Sequence, residues 1–157
     1  MPDANAVPQT NSGGDVSPAD PRILAAAEAA CATDFSPPEG GDTGVYGRLV
    51  RLLADLTSPG ALTQNPQRTL EHIAGVAWTA HKRRITSPDE EPHVGTLVRR
   101  ADGMKPFAGW DSAIGCLAYS IHAINIELHS TGGALLTSIY RNIAAWAVRA
   151  IVDTQGK

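Results

Sequence analysis

Between Ser112 and Val152 the chain carries only three charged residues, Glu127, Arg141 and Arg149. Two helical patterns fill this stretch, parted by Thr131-Gly132-Gly133. A surface helix normally turns a charged side to water, so a pair this apolar must be covered by other protein. The apolar seams are Ile114, Leu117, Ile121, Ile124 and Leu128, then Leu136, Ile139, Ile143, Trp146 and Ala150, each at offsets 0, 3, 7, 10 and 14. Matching seams across a two-glycine turn predict an antiparallel helical hairpin. Each arm is ~30 Å long at 1.5 Å per residue. Ser112, Cys116, Ser120 and Ala123 form a row of small side chains that lets another helix approach the first arm. The row Ser138, Arg141, Ala145 and Arg149 reads as the solvated side of the second.

The rest of the chain is also helical in pattern. Val45, Leu49, Leu52, Leu53 and Leu56 mark one face of a helix that Thr43 can cap and Ser58-Pro59-Gly60 stops. Asn65-Pro66 opens a further helix to about Arg84, with Leu70, Ile73, Ala74, Ala77, Trp78, His81 and Ile85 inward. A short helix over about 93–101 sets Val94, Leu97, Val98 and Ala101 on one side. Asp20-Pro21 opens an Ala-rich helix over about 21–32, whose thin face of Ile23, Leu24, Ala27 and Cys31 predicts weak docking. Residues 1–19 hold almost no large apolar side chain and cannot repay the entropy of ordering. The expected fold is all-α. It is a single-domain bundle of about five helices at 43–157, behind a short helix and Pro/Gly linker at 20–42 and a disordered acidic tail at 1–19.

Charge is unevenly spread. Residues 1–42 carry seven acids against Arg22, while residues 43–157 carry twelve bases and nine acids. An acidic tail thus precedes a mildly basic body, which a solubilising role explains. Cys31 and Cys116 lie 85 positions apart, a spacing that suits neither a zinc motif nor a disulfide framework. Met-Pro-Asp-Ala-Asn lacks the basic and apolar regions of a secretory signal. A span at 112–130 would bury Ser120, His122, Asn125, Glu127 and His129 in hydrocarbon. The expectation is therefore a cytoplasmic protein that does not enter a membrane.

Catalytic patterns are weak. His122 and His129 share a face but lie ~10.5 Å apart along a helix, too far to share one zinc held at ~2.0–2.1 Å. Gly40-Gly41-Asp42-Thr43-Gly44 lacks the strand and the Gly-Lys-Ser/Thr ending of a phosphate-binding loop. No G-x-S-x-G is present, and Cys116 sits mid-helix as packing. The reading is a protein that is not an enzyme and takes no cofactor or metal. It acts by assembly, through self-association or docking to a larger protein partner, with Leu135, Tyr140, Val148, Ile151 and Val152 as the contact surface. The alternative is a nucleic-acid accessory protein using Lys82, Arg83, Arg84, Arg99 and Arg100, two helix-terminal basic runs that can meet a phosphate backbone if they lie side by side. The helix dipole alone also accounts for cations at helix ends. A third reading is a metal-dependent enzyme with His and Glu ligands drawn from different helices.

Overall fold

The computed structural model describes residues 20–32, 41–58, 66–85, 93–105, 112–130 and 132–155. These form six helices: α1 (Pro21–Ala32), α2 (Gly41–Thr57), α3 (Pro66–Arg84), α4 (Val94–Gly103), α5 (Ala113–Ser130) and α6 (Leu136–Gln155). The described residues contain no strand, so the class is all-α. The expected tail at 1–19 lies outside the described residues.

Helix α6 is the axis of the bundle. It packs against α1, α3, α4 and α5, most extensively against α3, while α2 lies outside against α3 and α5. That position explains the composition. A helix surrounded on four sides has little use for charge, and eleven of its twenty residues are buried. The α5–α6 hairpin forms as its seams predict, with Leu117, Ile121, Ile124, Leu136, Ile143 and Trp146 buried and Ile114, Leu128 and Ile139 half-buried. Gly132 (φ 74°) and Gly133 (φ 104°) turn the chain between the arms in a region that only glycine enters cheaply. Glu127, the one acid of α5, is buried, and its Oε2 accepts the Leu135 N–H at 2.7 Å. A carboxylate here complements the positive end of α6.

Four expectations are corrected. The apolar spine is sheathed by the chain's own helices, so Tyr140, Val148, Ile151 and Val152 are interior, at 0–5% exposure, and only Leu135 (59%) faces water. The supposed solvated row of α6 is largely covered too: Ala145 is buried and Arg141 and Arg149 half-buried, leaving Ser138 exposed. Part of the cover comes from α1, which packs against α3, α4 and α6, buries Ile23, Ala26, Ala27 and Ala30, and is not weakly docked. Its alanines sit close to the neighbouring helices, where a wider face of large residues would hold them apart. Finally, α2 begins at Gly41 (φ 57°), so Thr43 lies within its first turn.

Candidate functional site

Polar groups gather where α2 and α6 begin and α3 ends. Asp42 Oδ1 accepts the Tyr140 hydroxyl at 2.7 Å, and Asp42 Oδ2 meets Arg84 Nη1 at 2.8 Å. Arg84 also donates Nη2–H to the Gly133 carbonyl (3.2 Å) and Nε–H to Thr137 Oγ1 (3.3 Å). His81 Nδ1 lies 2.9 Å from the Thr137 carbonyl, which accepts only, so Nδ1 carries the proton. The His81 ring stacks on Trp78 with centroids 5.2 Å apart. Burial first, then the hydrogen bond and charge of Asp42, push the Tyr140 hydroxyl well above the ordinary phenol range, against a smaller opposing pull from Arg84 and Arg83. A phenol so held is a fixed proton donor, and the cluster ties three helix ends together.

The basic candidates divide. α3 and α4 do not pack against each other, so the two runs approach one another only across α6. Lys82, Arg83 and Arg99 are exposed. Arg84 is committed to Asp42, and Arg100 Nη1 donates to Asn142 Oδ1 at 2.8 Å. Helix α6 nonetheless links them, because Arg84 is anchored on Thr137 and Arg100 on Asn142, five residues further along. Arg141 stands between these anchors, and its Nε is shielded from solvent without a hydrogen-bond partner.

Uncovered apolar surface lies elsewhere than expected. Among the described helices α5 packs only on α6 and α2. Its outward side presents Tyr119 (49% exposed) and Ile126 (63%), among exposed His122, Asn125, His129 and Ser130. No Asp, Glu, Lys or Arg stands on that side. Leu135 is exposed at the adjoining turn, and Leu24 (43%) stands apart on α1. The signal for α5 was present in the sequence, since its only formal charge is Glu127, on the seam side. The signal for Asp42, Arg141 and Asn142 was absent, because their meaning depends on which helices meet.

Among the described residues no three His, Cys, Asp or Glu side chains come together as a metal-binding group. A groove of about 400 Å³ between α2 and α3 is lined by Arg48, Arg51, Leu52, Ala54, Asp55 and His72, without a converging reactive set. Burial raises the pKa of the Cys31 thiol, only partly offset by Lys82, which disfavours a reactive thiolate. Among the described residues no helix is long and apolar enough to cross a membrane. Comparison with family models, curated proteins and solved structures returned no match.

Proposed function

We propose that this protein acts by self-association, with a second copy docking on the outward side of α5. The carrying observation is that an outward-facing helix side has no charged residue and exposes Tyr119 and Ile126. A second copy fits this strip better than a charged partner would. An uncharged face meets its twin without repulsion, and His122 and Asn125 offer both donors and acceptors. Tyr119 and Ile126 are seven residues apart. An antiparallel pairing about a twofold axis near His122 and Ala123 therefore sets Tyr119 of each copy on Ile126 of the other.

The strip is small. A helix of 18 residues is ~27 Å long, and at ~12 Å wide its footprint is roughly 300 Å². That is under half of the ~800 Å² per partner in a standard interface. Association is then weak, with Kd on the order of 10⁻⁴ M. Sedimentation equilibrium from ~10 μM to ~1 mM tests it. The weight-average mass should rise with concentration in the wild type, and Ile126→Glu should abolish the rise without changing the melting temperature by more than a degree or so. A wild type that stays monomeric at ~1 mM, or an Ile126→Glu variant that rises equally, rejects the reading. The nucleic-acid alternative retains only exposed Lys82, Arg83 and Arg99 as unencumbered cations.

A further inference from the structure

We infer that the junction of α4 and α6 is a binding site for a small phosphate-class oxyanion, held by Arg100, Arg141 and Asn142. The site is independent of the association surface, since it involves no residue of α5. Arg100 is fixed against α6 by its 2.8 Å bond to Asn142 Oδ1. The adjacent Arg141 has its Nε buried without an acceptor, although a guanidinium carries five donors that seek them. Both arginines are half-buried, and neither forms an ion pair with a described residue. Two cations are thus drawn partly out of water at one place with no carboxylate of a described residue paired with them.

The consequence is visible at Arg100, whose pKa is lowered first by burial and then by the positive charge of Arg141. Such a pair is stabilised by whatever brings negative charge and several acceptors to both guanidinium groups. A tetrahedral dianion does both. It matches the two charges, and its oxygens suit the forked geometry of guanidinium better than a single carboxylate does. A rotation of the Arg141 side chain would bring its Nε–H onto a bound oxygen, which relieves the orphaned donor.

The shielding of the Arg141 Nε favours a small anion over a polynucleotide. Backbone phosphates would meet the exposed Lys82, Arg83 and Arg99 before reaching a shielded Nε. The test is titration of the full chain with inorganic phosphate, with a phosphomonoester and with a single-stranded oligonucleotide, at constant ionic strength. The resonance of the Arg141 Nε–H group and calorimetry are the readouts. Saturable binding of phosphate or phosphomonoester that shifts the Arg141 resonance is expected, weakened at least tenfold in Arg141→Gln and in Arg100→Gln. Lys82→Gln/Arg83→Gln should change it less than twofold. If the arginine variants fail to fold, the wild-type titration decides alone. No saturable shift of Arg141 at ~50 mM phosphate overturns the inference. So does oligonucleotide binding that depends on Lys82 and Arg83 while phosphate leaves Arg141 unmoved.

Discussion

Removing one hydroxyl should expose how the α2–α3–α6 end is held. The Tyr140 ring is fully buried, and its hydroxyl donates to Asp42 Oδ1 at 2.7 Å. A hydrogen bond to a charged acceptor contributes about 1.5–3 kcal/mol. The Asp42 side chain is 32% exposed, so water can replace part of what Tyr140→Phe removes, and the lower end applies. The expected loss is about 1.5 kcal/mol, or a fall of ~1 M in the urea midpoint for a slope of about 1.5 kcal/mol per M. The pH dependence is more specific. The folded phenol has a raised pKa, so the native state keeps a proton that the unfolded chain releases above about pH 10. The stabilisation is therefore complete below about pH 10 and declines by ~1.4 kcal/mol per unit above it. Urea unfolding followed by circular dichroism should show wild type and Tyr140→Phe well separated at pH 8 and nearly coincident at pH 11. No gap at pH 8, or a gap constant across this range, refutes the reasoning.

Two further substitutions test the architecture. Trp146→Ala should cost about 3–5 kcal/mol by chemical unfolding, because it opens a cavity on the central helix, whereas Leu135→Ser should stay within about 0.5 kcal/mol because that side chain is already in water. Equal effects at the two positions would contradict the placement of α6. Gly133→Ala should destabilise by about 1–2 kcal/mol in the same assay, since a φ of 104° suits glycine and the added Cβ would lie 3.0 Å from Leu136 Cδ1. A neutral result would mean the turn between α5 and α6 is softer than its geometry implies.

The helices themselves were legible from residue order, because periodicity and punctuation are local properties. Val45, Leu49, Leu53 and Leu56 lie one helical turn apart whatever surrounds them, and Pro66, Gly132 and Gly133 mark boundaries by backbone chemistry alone. The lack of charge between Ser112 and Val152 likewise required that something cover this segment. What covers it was not a local property. Val148, Ile151 and Val152 read as surplus apolar surface so long as α1 is taken for a loose appendage. They become core once its small alanines let α1 settle beside α3, α4 and α6. Arg141 and Asn142 behave in the same way. As sequence they are two polar residues on a helix, and only the approach of Arg100 from α4 gives them a common purpose. Spacing along one helix fixes which side chains share a face. The choice of neighbour for that face belongs to the packing of the whole chain, where burial and charge are decided between elements far apart in order.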